Sequence, residues 1–317
     1  MLAEAVGVDA RGRVLLLDRP GGSAATLWPY SHALHAAELL AHLRGSAEPV
    51  LSFASGLSPY RRGSGFQPRR SPVPGRRYVD DNAWVGLAAS HTALLSTTGR
   101  PGSAIARRLL RWCRRHQVGS GGVRWREGSR GLHACSTGTV GVLALRAPEA
   151  SPESSTVARR CADFLLGPLR RPDGLVADNI RASALDDTVW SYNQGLAIGL
   201  LALLHQQGDA SALSAAQDLA ELTVEHYAVD DRLWREPPCF VAVLGRMLLL
   251  LHAHDGDVRW VTVVDAYLDR VWDRTAADGF TGSGIGAYDQ ERSLDLAGLT
   301  ILTALRASPA RELALVC

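Results

Sequence analysis

The sequence predicts an all-α fold built from about six helical hairpins. From Trp28 onward, apolar residues recur at helical spacing almost throughout. Three turns of similar chemistry, Thr98–Arg100, Gln207–Asp209 and Asp255–Asp257, each follow a Leu-rich run and carry a central Gly, which is typical of a helix end. Between the hairpins, short glycine or aromatic segments recur about every 50 residues, which is the length of one helix pair with its loops. They are 121–123, 173–175, 232–234 and 278–280. An array that closes on itself forms an α/α toroid, whereas an open solenoid has the same periodicity.

Length and composition predict a single domain over residues 1–317. The chain has 46% hydrophobic residues and a net charge of +2, and no clean linker divides it. Residues 1–27 form an N-terminal extension in which two short β-like runs flank Asp9–Gly12 and predict a small hairpin. Residues 46–77 are rich in Arg, Pro and Gly and are expected to form a loop.

All 34 basic residues are arginine, and the nearly neutral net charge argues against binding of nucleic acid. One local cluster of arginines stands out in the 46–77 segment. It is explained either by a solvated loop or by a cavity mouth that attracts a phosphate-bearing substrate. The cluster consists of Arg61, Arg62, Arg69, Arg70, Arg76 and Arg77.

The cysteines and the N-terminus predict a cytoplasmic protein without a membrane span. Five widely spaced cysteines, Cys113, Cys135, Cys161, Cys239 and Cys317, lie mostly in apolar runs and are interpreted as reduced core residues. No basic segment precedes an apolar one at the N-terminus, and no apolar run reaches about 18 residues. Since Cys-x-x-Cys and His-Glu-x-x-His are absent, no structural or catalytic zinc site is expected.

Two adjacent carboxylates, Asp80 and Asp81, stand where the 46–77 segment enters an apolar-periodic run. One carboxylate at a helix start is explained by capping, but a second adds repulsion. Neighbouring acids push their protonation equilibria apart, so that one acts as a nucleophile and the other as a proton donor. Cleavage of a glycosidic bond needs this combination. Because consecutive helical side chains point about 100° apart, both carboxylates are expected to face one sugar only if Asp80 precedes the helix.

A second polar stretch, Trp190–Gly195, enters another apolar run and contains Tyr192, Asn193 and Gln194. Such residues are costly to bury without partners. Aromatic faces cover the apolar side of a sugar ring, while amides donate to and accept from its hydroxyls. The alternative is that these side chains only satisfy loop backbone groups.

Four segments together resemble glycoside hydrolase family 76, the α-1,6-mannanases. Tyr78-x-Asp80-Asp81-x-x-Trp84 and Trp190-Ser191-Tyr192-Asn193-Gln194-Gly195 resemble the two most informative motifs of that family. Gly121–Trp125 resembles its GG-x-x-W loop, and Asp173–Asp178 resembles its DG-x-x-x-D segment. The resemblance extends over about 28–305, nearly the whole chain.

The resemblance implies an (α/α)6 barrel that hydrolyses α-1,6-mannosidic linkages with retention and without a cofactor. Mannan, a manno-oligosaccharide or a mannosylated glycolipid is the expected substrate, and internal cleavage is favoured. The family pattern assigns the nucleophile to Asp80 and the acid/base to Asp81, which predicts carboxyls about 5 to 5.5 Å apart. The expected sugar-binding residues are Tyr192, Asn193, Gln194 and Asp178, with Trp84 and Trp125 as platforms.

Two alternatives stay open from the sequence. A sugar isomerase similar to N-acylglucosamine 2-epimerase has an α/α toroid as well, and His91 or His133 is its candidate base. A non-catalytic carbohydrate-binding toroid retains the cavity without the chemistry.

Overall fold

The structure is a computed structural model that describes residues 5–95, 100–147, 152–278 and 292–308. Near the N-terminus, strand β1 (Val6–Val8) pairs antiparallel with β2 (Val14–Leu16), with Val6 opposite Leu16. The predicted N-terminal hairpin is therefore confirmed.

Most of the described chain is helical, as predicted. The helices are α1 (Leu27–Arg44), α2 (Glu48–Ser55), α3 (Val79–Leu95), α4 (Arg100–Arg114), α5 (Ala134–Arg146), α6 (Pro152–Leu166), α7 (Ser191–Gln206), α8 (Ala210–Ala228), α9 (Arg232–Arg235), α10 (Pro238–Asp255), α11 (Val258–Asp278) and α12 (Arg292–Ala307). The remaining strands are β3 (Arg61–Arg62) with β4 (Gly65–Phe66), and β5 (Leu132–His133), β6 (Asn179–Arg181) and β7 (Ala184–Asp186).

Six inner helices, α1, α3, α5, α7, α10 and α12, pack in that order, and α12 packs back against α1. The ring is therefore closed, which confirms the toroid and excludes the open solenoid. An outer helix, α2, α4, α6, α8 or α11, packs against the inner helix that precedes it. Each hairpin thus buries an inner helix between its ring neighbours and its own outer partner.

The inner helices are mostly apolar because protein surrounds most of their surface. In α5, all residues from Ala134 to Leu145 are buried. Glycines allow close approach between inner helices: a Cβ on Gly195 of α7 would lie 2.6 Å from the Cα of Leu244 in α10. The glycine that ends the Tyr-Asn-Gln-Gly motif is therefore a packing residue.

Replacing Gly195 by alanine is expected to lower the free energy of unfolding by about 1 to 3 kcal/mol, because the added methyl group overpacks the α7–α10 contact. Urea unfolding measures the loss. Gly7→Ala is the matched control, since a Cβ there would meet nothing within 4 Å. Equal stability of the two variants would contradict the packing role.

The helix-ending turns are confirmed where they are described. Gly208 and Gly256 have φ values of 95° and 72° and separate α7 from α8 and α10 from α11. The side chains of the Thr98–Arg100 turn lie outside the described part of the chain. Segment 46–77 differs from the expected loop, since it contains α2 and the β3–β4 hairpin. A buried Gln67 holds its second half by accepting from the backbone N–H of Gly75.

Helix α10 departs from the expectation that no run is long and apolar enough to cross a membrane. It meets both criteria with 18 residues and a mean hydropathy of 1.2, but 78% of it is buried inside the protein. A core helix of a toroid meets the same criteria, so the observation is weak support for a span. The four described cysteines are free and buried, as predicted, and Cys317 lies outside the described residues.

Candidate active site

A cavity of about 410 Å³ opens at the end of the toroid where the inner helices begin. Its wall includes the first turns of five inner helices: Trp28 from α1, Asp80 and Asp81 from α3, Cys135 from α5, Tyr192 from α7 and Phe240 from α10. Helix N-termini carry partial positive charge. The cavity therefore favours groups that are negatively charged or that become negatively charged during a reaction.

Both carboxylates lie in the first turn of α3, which begins at Val79. The expectation that Asp80 precedes the helix is therefore wrong. The first backbone N–H groups of a helix have no partner within the helix. The N–H of Val79 instead donates to the carbonyl of Trp125, at 2.8 Å, which allows the helix to begin at Val79. Both half-buried aspartates nevertheless line the same cavity.

Asn82 fixes this first turn against the neighbouring hairpin. Its buried side-chain amide donates to the carbonyls of Phe66 and Tyr78, at 2.8 and 2.7 Å. Its oxygen accepts from the Phe66 N–H at 2.7 Å. A fully satisfied buried amide rigidifies its surroundings, so Asn82 orients the two preceding carboxylates.

Three donors are directed at Asp80. The backbone N–H of Asp81 lies 3.1 Å from its Oδ1, the Trp125 indole N–H lies 3.2 Å from its Oδ2, and the Cys135 thiol also donates to it. Burial raises the pKa of Asp80 to about 6, while these donors oppose that rise. These donors stabilise the ionised form of Asp80, which is the form that a nucleophile requires.

The two predicted tryptophan platforms both line the cavity, but in different settings. Trp125 is half-buried, and its ring stacks on His133 at 5.2 Å and meets Tyr78 edge-on at 4.9 Å. Trp84 is only 3% exposed and packs against His32 at 4.8 Å. Trp125 can cover a sugar ring, whereas Trp84 is mainly part of the cavity floor.

Of the four predicted sugar-binding residues, Tyr192 and Asp178 line the cavity. Burial raises the pKa of Tyr192 well above its usual value, so its hydroxyl stays protonated. Asp178 accepts from the amides of Asn179 and Asn193, at 2.7 and 3.0 Å. Its remaining acceptor capacity is directed at the cavity.

Asn193 and Gln194 are fully buried behind the wall rather than on it. Asn193 holds the Asp178 carboxylate. Gln194 brackets Val176, accepting from its N–H and donating to its carbonyl, each at 2.8 Å. Both amides therefore position the Asp178 segment. Gln194 does so by satisfying loop backbone groups, as the alternative predicts, whereas Asn193 binds a side-chain carboxylate.

His133 lines the cavity, but burial lowers its pKa to about 4. Its ring is therefore neutral near pH 7 and serves as a flat surface beneath Trp125. The side chain of His91 lies outside the described part of the chain.

Comparison with protein families gives one decisive match. The model of glycosyl hydrolase family 76 matches residues 57–246, which include the Asp pair, Asp178 and Tyr192. The chain belongs to glycosyl hydrolase family 76. It is therefore a glycosidase by family, and family membership favours hydrolysis over the isomerase alternative.

Solved structures of family 76 share the fold. A family 76 mannosidase, Bt3792 of Bacteroides thetaiotaomicron VPI-5482, superimposes with a TM-score of 0.83 at 20% identity, covering 98% of this chain and 96% of its own. The GH76A α-1,6-mannanase of Salegentibacter sp. HEL1_6 gives 0.72 at 20% identity, with 93% and 91% covered.

An inactive variant of the Salegentibacter enzyme, with two consecutive aspartates replaced by asparagine and α-1,6-mannotriose bound, gives a TM-score of 0.73 at 19% identity, with 96% and 94% covered. Comparison with curated proteins finds no match.

Several residues of the cavity wall in this family 76 site are not identified by the sequence analysis. Trp28 and Phe240 pack on each other at 6.1 Å and look like ordinary core residues in sequence. The sequence predicts that Cys135 is a core cysteine. In the structure it lines the cavity and interacts with Asp80, Asp178 and Tyr192. A common signal exists: each lies within the first turns of an apolar helix, as does the Asp pair.

Replacing Cys135 by alanine is expected to move the acidic limb of the family 76 enzyme's pH–rate profile to higher pH. The thiol lowers the pKa of Asp80, so its loss raises that pKa. The measurement is kcat/KM from pH 4 to 8, each value relative to the plateau. Cys161→Ala is the control, because Cys161 is buried but does not line the cavity. An unmoved limb in Cys135→Ala would contradict the contact.

Proposed function

We propose that this family 76 enzyme is a retaining glycosidase that cleaves internal α-1,6-mannosidic linkages. The observation that carries the proposal is the Asp80–Asp81 pair, which faces one cavity from a single helical turn with three donors on Asp80. Unequal environments for two adjacent carboxyls separate a nucleophile from an acid.

In the first step, the ionised Asp80 attacks the anomeric carbon while Asp81 protonates the departing glycosidic oxygen. In the second step, Asp81 removes a proton from water, which attacks the same carbon and releases Asp80. Two inversions give overall retention. The mechanism requires a carboxyl separation of about 5 to 5.5 Å in the substrate complex.

Cavity residues supply the sugar contacts in this proposal. Trp125 provides an aromatic face, and its indole N–H keeps the Asp80 carboxylate in place. Tyr192 provides a protonated hydroxyl, and Asp178 provides an acceptor in the same cavity as the Asp pair. The α-1,6 linkage and the internal cleavage are supported by the structurally similar Salegentibacter α-1,6-mannanase, whose double Asp variant is inactive and binds α-1,6-mannotriose.

Incubation with α-1,2-, α-1,3- and α-1,6-linked mannotetraose tests the proposal. We expect cleavage of the α-1,6 tetraose into mannobiose, with the α-anomer appearing first in the proton NMR spectrum. The β-anomer as first product would contradict retention. Cleavage of another linkage at an equal rate would contradict the specificity, and release of mannose alone would contradict internal cleavage.

A further inference from the structure

Two arginines, Arg69 and Arg181, line the cavity with exposed side chains. Arg69 belongs to the arginine cluster of the 46–77 segment, and Arg181 ends strand β6. Neither guanidinium has a hydrogen-bond or ion-pair partner within the residues that the structure describes. Ordering a long cationic side chain costs conformational entropy, and neither guanidinium is held by the protein, so both are available to an external ligand.

Other members of the arginine cluster have structural roles. Arg70 pairs with Asp9, and Arg77 pairs with Glu127 at 2.6 Å while stacking on Trp112. These two arginines hold the segment against its neighbours. Arg69 is therefore distinguished from the cluster by its position on the cavity wall.

The backbone at both arginines is held firmly. The side-chain amide of Gln67 donates to the carbonyl of Arg69 at 3.1 Å, and the carbonyl of Pro68 accepts from the Leu27 N–H at 2.9 Å. Arg181 pairs with Ala184 across the β6–β7 turn. The guanidinium groups are thus carried on fixed stems, which lowers the cost of ordering them on a ligand.

The carboxylates beside strand β6 form no ion pair with Arg181 among the described residues. Asp178, the carboxylate nearest to β6 in sequence, is held by amides rather than by an arginine. Asp186 likewise accepts from Thr188 at 2.7 Å and from Asn179 at 3.1 Å. The hydrogen bonds to both carboxylates therefore come from neutral groups, and Arg181 acts on Asp186 only as a nearby charge that lowers its pKa.

We propose that Arg69 and Arg181 form an anion-binding rim that holds a phosphate ester carried by the mannoside. Guanidinium groups match the oxygens of a phosphate in geometry and charge. The inference rests on the proposed function, because it assigns the sugar-binding cavity to a phosphorylated class of α-mannoside. The phosphate belongs either to the sugar itself or to a phospholipid headgroup.

The test compares α-1,6-mannotriose with the same trisaccharide phosphorylated at its reducing or at its non-reducing end. We expect a kcat/KM ratio of about 10 to 100 in favour of one phosphorylated form, as for a charge-assisted contact. The double variant Arg69→Ala, Arg181→Ala is expected to bring this ratio close to one. The control Arg76→Ala keeps it, because Arg76 is exposed and does not line the cavity. A misfolded variant would lose both rates without changing their ratio.

A ratio of one in the wild-type enzyme, or an equal loss in Arg76→Ala, would overturn the proposal. If no mannoside is cleaved, the proposed function fails, and calorimetric binding of the same ligands to Asp80→Asn still tests the rim. Sedimentation with phosphatidylcholine vesicles containing phosphatidylinositol distinguishes the source. Binding that depends on both arginines assigns a lipid headgroup, whereas preference for the soluble ligand alone assigns a sugar phosphate.

Discussion

Replacing Asp80 by asparagine is expected to lower kcat on an α-1,6-mannoside by about 10³-fold or more, because the amide cannot form the glycosyl-enzyme. Asp81→Asn is expected to cause a loss of about 10²- to 10⁴-fold on the same substrate, since protonation of the departing oxygen is lost. Initial rates of reducing-sugar release measure both effects.

An activated substrate separates the two roles. Dinitrophenolate leaves without protonation, so Asp81→Asn is expected to release a burst of one dinitrophenol per enzyme from dinitrophenyl α-mannoside and then to slow. Asp80→Asn is expected to give no burst. Asp187→Asn is the matched control, because Asp187 also follows another aspartate, Asp186, in sequence and its side chain is 80% exposed. A burst from Asp80→Asn would reverse the assignment, and normal rates in both variants would remove the pair from the mechanism.

Asp80→Asn is also expected to stabilise the protein at pH 8. The folded pKa of Asp80 is about 6 against an ordinary value of 3.8, so the folded state binds this proton more tightly than the unfolded state. The stabilising effect is present below about pH 3.8 and is lost as pH rises to about 6, at a cost of about 2 to 3 kcal/mol. Asparagine resembles the neutral carboxyl and avoids this cost.

Thermal unfolding of both proteins at pH 4 and pH 8 measures the effect. The variant is expected to gain several degrees over the wild type at pH 8 and little at pH 4, since about 1 kcal/mol corresponds to a few degrees in a chain of this size. In the wild type, the same titration is expected to lower kcat/KM below about pH 6, because protonated Asp80 is not a nucleophile. A lower unfolding temperature for the variant at pH 8 would contradict the account.

The fold class could be predicted from the sequence because the spacing of apolar residues and the glycine-containing turns both indicate helical hairpins. Helical periodicity identified the hairpins, and glycines such as Gly208 and Gly256 marked their ends. Closure of the ring was not visible, since it depends on packing between α12 and α1 at opposite ends of the chain. Only the family resemblance pointed to it.

The site was predicted in part. The Asp pair, Asp178, Tyr192 and Trp125 are brought to one cavity. Asn193 and Gln194 stand beside Tyr192 in sequence, but helical geometry turns them away from the cavity wall. Gln194 bonds the backbone of the preceding loop, and Asn193 bonds the Asp178 carboxylate. Residues such as Trp28 and Phe240 could not be distinguished from core, because an apolar side chain at a helix start is equally suitable for both.

Covalent trapping tests the central claim most directly. A mannose-configured cyclophellitol epoxide or aziridine is opened only by a working nucleophile placed at the anomeric carbon. Tryptic mass spectrometry of the treated wild-type enzyme is expected to locate one adduct, on Asp80, and none in Asp80→Asn. An adduct on Asp81 or Asp178, or an unmodified enzyme that still cleaves α-1,6-mannotetraose, would contradict the account.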